Sequence, residues 1–116
     1  MSSTFDNTKP IYLQIIERLE NEIVSGARSP GERIESVREL ALKLKVNPNT
    51  VQRALFELEA EKLVETERTT GRFVTNNESR IKKLKQSIYD KKTKEYLKEM
   101  KKISIKIIEI RRENEN

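Results

Sequence analysis

Residues 36–58, SVRELALKLKVNPNTVQRALFEL, decide the fold. The stretch opens on Ser36 with Glu39 three residues later, a capping box in which the hydroxyl and the carboxylate satisfy backbone N–H groups at a helix start. Apolar residues then recur at helical spacing, at Val37, Leu40, Ala41 and Leu44 and again at Val51, Ala54, Leu55 and Leu58. The stretch therefore predicts two short amphipathic helices joined by a tight turn.

The second predicted helix begins at Asn47-Pro48. An asparagine suits the N-cap, and a proline suits the first helical position, where no backbone N–H is needed. Hydrogen-bonding side chains follow at Asn49, Thr50, Gln52 and Arg53. Because polar side chains at the start of an exposed helix can read base edges in the DNA major groove, we interpret the two helices as a DNA-reading unit. The helix start at Ser36 would add N–H groups for phosphate.

The composition narrows the class of protein. A chain of 116 residues forms one small domain, or one with an appendage. It has no cysteine and no histidine, which excludes thiol nucleophiles, disulfides, imidazole metal sites and the usual general base. We find no catalytic constellation, so the expectation is a protein that is not an enzyme and has no cofactor. No apolar run approaches the roughly 18 residues of a membrane span, and no signal peptide is recognisable, which predicts a cytoplasmic protein.

The formal net charge of +5 is unevenly distributed. Residues 1–75 carry 11 Lys and Arg against 12 Asp and Glu, whereas residues 76–116 carry 13 against 7. The predicted DNA-reading half is not basic overall, so DNA binding requires its cations to be segregated on one surface. The cations expected there are Arg38, Lys43, Lys45, Arg53, Arg68 and Arg72.

The segments on either side predict a winged helix. A helix from about residue 8 to Gly26 has apolar residues at Tyr12, Ile15, Ile16, Leu19 and Ile23. A Pro-Gly turn and a very short strand at residues 33–34 follow. Residues 63–66 and 72–75 are rich in β-branched and aromatic residues and flank a turn with Gly71, which predicts a hairpin. Residues 8–76 are thus predicted to form a winged helix-turn-helix, mainly α with a small hairpin, whose wing contacts DNA through Arg68, Thr69, Thr70 and Arg72.

The Lys-rich tail, residues 77–116, is predicted to be a two-helix dimerisation arm. Its apolar face thins across residues 90–94 and then resumes, and Ser104 could cap a last short helix. A narrow apolar face on a long helix cannot be buried by one chain alone, so a two-fold dimer is the simplest expectation. The residues expected at the interface are Ile81, Leu84, Ile88, Tyr96, Leu97, Met100, Ile103 and Ile107.

Several motifs, in order, resemble the GntR family of bacterial transcription regulators. They are residues 10–15 (PIYLQI), 29–33 (SPGER), 36–41 (SVRELA), 46–51 (VNPNTV), 58–59 (LE) and 71–74 (GRFV). The Asn-Pro-Asn-Thr helix start and the short helical tail resemble its YtrA-like branch. The resemblance implies a winged helix, a homodimer and a near-palindromic double-stranded DNA operator, commonly with repression of an operon that includes the regulator's own gene and transporter genes.

The resemblance also implies roles for single residues. The family's DNA-contacting arginine falls on Arg38, its recognition-helix contacts fall on Asn47, Pro48, Asn49, Thr50 and Gln52, and its wing contacts fall on Thr69 and Thr70. Many relatives have arginine at the position of Pro48, and some at that of Gln52, so base reading here would rest on amides and hydroxyls. Lys45 and Thr69 stand where glycine is common, and a positive φ at Lys45 would cost about 1 kcal/mol.

Simpler interpretations stand beside these. Arg38 alone would more commonly form a surface ion pair, Arg53 could pair with Glu57 four residues on, and the tail could be a solvated helix face. An alternative function is an adaptor that uses its basic tail on a protein or an anionic membrane surface. A small-molecule effector is left open, because the short tail leaves little room for an enclosed cavity.

Overall fold

The computed structural model describes residues 5–114. It contains four helices and three strands among these residues: α1 (Ile11–Ser25), β1 (Arg33–Ile34), α2 (Val37–Leu44), α3 (Pro48–Ala60), β2 (Val64–Glu67), β3 (Gly71–Val74) and α4 (Glu78–Asn114). The chain forms two compact units, of which the first ends at Leu84 and the second begins at Lys85. The first unit, called the head below, holds the three short helices, the sheet and the first turns of α4.

The head has one apolar core to which α1, α2 and α3 contribute their predicted faces. The buried residues are Ile15, Leu19 and Ile23 of α1, Leu40, Ala41 and Leu44 of α2, and Val51, Ala54, Leu55 and Leu58 of α3. Their spacings of three and four residues place them on one side of each helix. Because the apolar stripe of α3 faces inward, its intervening polar positions face solvent.

The sheet confirms the predicted hairpin and short strand. β2 and β3 pair antiparallel, with Val64 opposite Val74, and β1 pairs antiparallel with the other edge of β3. The strand order is therefore β1-β3-β2. Gly71 opens β3 with φ 113°, a value that side chains rarely adopt, so a glycine is needed where the wing returns to the sheet. Three helices with this sheet form the predicted winged helix.

The tail differs from its prediction. The structure shows one continuous helix, α4, where two were expected, and Ser104 lies inside it instead of capping a second. The thinning of the apolar face did not mark a helix end, because residues 78–114 contain no glycine or proline to stop propagation. The helix begins at the N-cap Asn77, whose Oδ1 accepts a hydrogen bond from the Arg80 N–H at 3.1 Å. Residues 115–116 of the predicted arm lie outside the described residues.

The apolar residues of α4 fall into two groups by burial. Leu84 is only 6% exposed within a single chain, so it has little surface left for a second copy, although it was expected at a dimer interface. Ile81 and Ile88 are half-buried. The residues further along are exposed: Tyr89, Tyr96, Leu97, Met100, Ile103, Ile105, Ile107, Ile108 and Ile110. Among residues 5–114, no helix has the length and apolar character of a membrane span.

Candidate nucleic-acid interface

The turn between α2 and α3 is fixed by backbone geometry. Lys45, which follows the last residue of α2, is left-handed with φ 57° and ψ 49°, as its predicted correspondence to a glycine position suggested. The Val46 N–H then donates to the Ala41 carbonyl at 3.0 Å, which closes the end of α2. Residues 45–47 therefore form a tight turn, and α3 begins directly after it.

Both predicted helix caps are present. The Ser36 hydroxyl accepts from the Glu39 N–H at 3.1 Å, and the Ser36 N–H donates to the Glu39 carboxylate at 3.4 Å. At α3, Asn47 Oδ1 accepts from the Asn49 N–H at 2.8 Å, and Pro48 is the first helical residue. Since Oδ1 of Asn47 already caps the helix, its role at a DNA surface would fall to its amide nitrogen.

One strip of α3 is open to solvent, and we call Asn49, Gln52, Arg53 and Phe56 the reading strip. These four residues are exposed and lie at offsets of three and four, so they share one side of the helix. Thr50 is half-buried at the edge of the strip. Phe56, 67% exposed, is absent from the residues predicted from sequence. It lies outside the predicted apolar stripe of Val51, Ala54, Leu55 and Leu58, and helical geometry turns it outward.

Arg53 has a defined partner in the head. Its guanidinium carbon lies 3.7 Å from the centre of the Tyr12 ring on α1, a cation–π contact. This contact takes the place of the i, i+4 pair with Glu57 that the sequence left open. Since stacking occupies the face of the guanidinium and leaves its edge free, Arg53 remains able to donate hydrogen bonds.

Arg38 lies in the first turn of α2 and is exposed. Among residues 5–114 no carboxylate forms an ion pair with its guanidinium, unlike Arg28, Arg72 and Arg80. The alternative interpretation of Arg38 as one half of a surface ion pair is therefore not what the structure shows. A charged, unpaired group beside a helix start is suited to a phosphate contact.

The wing separates into exposed and engaged residues. Arg68, Thr69 and Thr70 form the turn between β2 and β3 and are all exposed. Arg72 was predicted to join them, but its Nε donates to the Glu59 carboxylate of α3 at 2.6 Å. This pair uses Nε of Arg72 and holds its side chain toward α3, so only its Nη groups could contact DNA. The predicted set of wing contacts is thus physically divided, with Arg72 tying the wing to α3.

Arg33 lies at the wing and, like Phe56, was not among the site residues predicted from the sequence. It is exposed on β1, and its Nε donates to the Thr70 carbonyl at 3.3 Å. The residue lies 37 positions before its partner, so only the pairing of β1 with β3 brings them together. The base of the wing therefore carries a positive charge that sequence spacing could not have revealed.

The comparison with known families follows from this geometry. The family model described as bacterial regulatory proteins, gntR family, matches residues 11–74, which are more than half of the chain. The chain belongs to the GntR family. The matched residues span the whole winged helix, from the start of α1 to the end of β3, and confirm the resemblance found in the sequence.

Two curated relatives of this GntR-family chain come from Bacillus subtilis strain 168. The HTH-type transcriptional regulator YhcF is 36% identical over 105 residues, which are 90% of this chain and 87% of YhcF. The HTH-type transcriptional repressor YtrA is 42% identical over 71 residues, which are 61% of this chain and 55% of YtrA. The similarity to YtrA supports the YtrA-like assignment made from the helix start and the tail.

Two solved structures are similar to the chain. A GntR family transcriptional regulator from Listeria monocytogenes superposes with a TM-score of 0.81 at 44% identity, covering 86% of this chain and 88% of that one. The DNA-binding domain of AraR in complex with operator ORR3 superposes with a TM-score of 0.56 at 27% identity, covering 65% of this chain and 88% of that one. The GntR-family chain is thus a DNA-binding transcription regulator with a winged helix, and not an enzyme.

Proposed function

We propose that this regulator is a homodimer that binds a near-palindromic operator and represses its own operon, which can include transporter genes. The observation that carries the proposal is the reading strip, a row of exposed side chains at the start of α3 with the unpaired Arg38 on the preceding helix. Relatives support the direction of regulation and the partner, since YtrA is named a repressor and the AraR structure contains an operator. These relatives favour a DNA-binding repressor over the alternative function, an adaptor that binds a protein or an anionic membrane surface through its basic tail.

The contacts divide between positioning and reading. Arg38, the helix starts at Ser36 and Asn47, and the wing turn at residues 68–70 would contact phosphates and fix the register of the head on the duplex. Asn49, Gln52 and the free edge of Arg53 would face base edges. An asparagine or glutamine donates and accepts at once, which matches the major-groove edge of adenine. We therefore propose that half-sites contain A·T pairs at the positions facing Asn49 and Gln52.

Dimerisation compensates for a weak electrostatic contribution. Residues 1–75, which contain the winged helix, carry 12 acidic against 11 basic residues, so non-specific attraction to DNA is small for one copy. Two heads joined through their arms bind two half-sites at once, and the second contact then benefits from a high effective concentration. A two-fold dimer would read half-sites spaced by about one helical turn of DNA, or a multiple of it.

Gel retardation with the promoter region of the regulator's own gene tests the proposal. We expect the folded dimer to retard that fragment at nanomolar concentrations and an unrelated fragment of equal length only at much higher ones. Footprinting should then show two protected half-sites related by a dyad. Equal retardation of both fragments, or none at low salt, would refute sequence-specific regulation.

An effector remains a prediction without a defined site. An open depression of about 260 Å³ lies on the head and is lined by Gly31, Glu65, Glu67, Thr70, Phe73 and Asn76. Its two carboxylates would disfavour anionic ligands. We therefore do not assign it a role in the proposed regulation.

A further inference from the structure

The exposed apolar residues of α4 follow a heptad pattern. Six of them, together with Thr93 and Asn114, occupy eight positions separated alternately by four and three residues: Tyr89, Thr93, Tyr96, Met100, Ile103, Ile107, Ile110 and Asn114; the exposed Leu97, Ile105 and Ile108 lie outside this series. Six of the eight are large apolar residues, each between 41% and 67% exposed in one chain. The pattern extends over about three and a half heptads, which is long enough to indicate a coiled coil.

The alternation defines the heptad positions. Thr93, Met100 and Ile107 take position a, while Tyr96, Ile103 and Ile110 take position d. All four flanking g positions hold charged residues (Lys92, Glu99, Lys106 and Glu113), whereas the e positions hold Asp90 and Arg111 at the two ends and the uncharged Leu97 and Ser104 between them. Because e and g residues lie beside the seam, their charges decide how two such helices are oriented.

A parallel pair of helices would not match these charges. In that orientation a g residue lies beside the e residue five positions further along the partner. Lys106 would meet the partner's Arg111, and Glu99 would meet the partner's Ser104. The first contact is repulsive and the second is neutral. The one favourable charge pair of the parallel orientation, Lys85 with the partner's Asp90, lies at the very start of the seam.

One antiparallel register matches every charge. With the two-fold axis beside Lys101 and Lys102, Met100 faces the partner's Ile103 and Tyr96 faces the partner's Ile107, so the central layers are apolar on both sides. In the outer layers Thr93 faces the partner's Ile110 and Tyr89 the partner's Asn114. In the same register Glu99 lies beside the partner's Lys106, Lys92 beside the partner's Glu113, and Asp90 beside the partner's Arg111. A shift by one heptad in either direction brings Glu99 or Lys106 against a residue of its own charge.

We propose that α4 dimerises as an antiparallel coiled coil in this register, with a second copy of the chain as its partner. The inference rests on the homodimer proposed above and adds its orientation, its register and the ion pairs that select them. Leu84 and the half-buried Ile81 lie on another side of the helix, within the head, which agrees with their burial. Residues 89–114 form the seam.

Spin-label distances in the full chain test the orientation. The chain has no cysteine, so Ser87→Cys and Ser104→Cys each create a unique labelling site on the exposed surface of α4. At 1.5 Å per residue, the two labels at position 87 should lie about 45 Å apart in the antiparallel register but under about 20 Å apart in a parallel coiled coil. Labels at position 104 lie near the axis, and should be under about 20 Å apart in both cases.

The labels at positions 87 and 104 test the antiparallel orientation and the dimerisation separately. A short distance at 104 with a long one at 87 supports the antiparallel seam. Short distances at both positions would overturn the antiparallel register and leave the dimer standing. A long or absent distance at 104 would overturn the dimerisation through α4 itself, and with it the proposed homodimer.

Charge reversal tests the register. Glu99→Lys and Lys106→Glu should each weaken the dimer about tenfold or more, because each places two like-charge pairs in the two-fold assembly. The double variant restores opposite charges and should return the dissociation constant to within about threefold. Lys98→Glu, the same charge change at the outward position f, is the matched control and should have little effect. In a parallel dimer, Lys106→Glu would instead tighten association, because it would face the partner's Arg111; sedimentation equilibrium distinguishes the two results.

Discussion

Arg28 and Glu35 form a bidentate ion pair. Nη1 donates to Oε1 at 3.0 Å and Nη2 to Oε2 at 2.8 Å, while Nε donates to Glu22 at 3.4 Å. Arg28 is 5% exposed and lies in the turn after α1, and Glu35 immediately precedes the Ser36 cap. The pair therefore anchors the start of α2, and with it the position of Arg38, to the end of α1.

This pair should make the stability of the head depend on pH. Its hydrogen bonds from Arg28 hold the pKa of Glu35 below its ordinary value of 4.5. A depressed carboxyl pKa stabilises the fold fully above that value, and the stabilisation is lost as pH falls through the lower, folded pKa. Glu35→Gln should cost about 1–3 kcal/mol at pH 7 and less at pH 3, measured by urea denaturation.

The exposed Glu57 provides the control for this measurement. Glu57→Gln removes the same charge from a side chain that has no ion pair among the described residues. Its unfolding free energy should stay within about 0.5 kcal/mol of the parent value at both pH values. If Glu35→Gln were equally harmless at pH 7, the anchoring role of the pair would be wrong.

Arg38→Ala should weaken binding to every DNA sequence by a similar factor. An unpaired cation on a helix start contributes through phosphate, which carries no sequence information. We expect affinity to fall about tenfold and the slope of log K against log salt to decrease by about one. Titrations at several salt concentrations, with operator and random DNA, measure both quantities. Lys98→Ala removes an exposed cation from α4 outside the head and serves as the control, which should keep the parent's salt slope. An identical salt slope in Arg38→Ala and the parent would contradict the phosphate contact.

Gln52→Ala should change preference among operators more than overall affinity. The side chain lies on the reading strip and is proposed to face a base, so its loss should cost about 1–3 kcal/mol on the preferred half-site and much less on sites altered at that base pair. Selection of binding sites from random DNA by the parent and the variant measures the change. A uniform loss across all selected sites would assign Gln52 to the backbone instead.

Arg68 and Arg72 should behave differently although both lie at the wing. Arg68→Ala removes an exposed cation, so DNA affinity should fall about three- to tenfold with no change in stability. Arg72→Ala breaks the contact with Glu59, so it should lower the unfolding free energy by about 1 kcal/mol, with a smaller effect on DNA affinity. Thermal denaturation and gel retardation on the same preparations separate the two roles. A larger affinity loss in Arg72→Ala than in Arg68→Ala would show that Arg72 also contacts DNA.

Local patterns predicted the head well, because caps, helical periodicity and turn residues act over a few positions. Ser36, Asn47 and Gly71 each occupy the place that their local chemistry favours. Contacts between distant segments were beyond such patterns. Arg53 contacts Tyr12 because α1 packs against α3 in the core, and Arg33 contacts Thr70 because β1 pairs with β3.

The prediction of two helices in the tail was wrong for a different reason. A gap in the apolar face indicates a helix end only when the helix depends on packing against a core for its stability. Residues 90–94 contain only Lys, Asp and Thr, with no glycine or proline, so the helix continues through them. The expected dimer face also merged two groups of residues. Leu84 belongs to the head and Met100 to the exposed seam, and periodicity alone does not say which surface covers a given stripe.

Lys45→Gly should stabilise the head. The left-handed backbone of Lys45 costs an L-residue about 1–2 kcal/mol, and glycine avoids that cost while losing about 0.5–1 kcal/mol of unfolded-state entropy. A net gain of about 0.5–1 kcal/mol in unfolding free energy follows, read from the urea midpoint. Lys45→Ala removes the same charge but keeps the strain, so it should give no gain. Lys43→Gly, inside α2, should instead cost about 1 kcal/mol. If Lys45→Gly destabilised the head as Lys43→Gly does, the side chain of Lys45 would have to contribute more through its contacts than its backbone loses through strain.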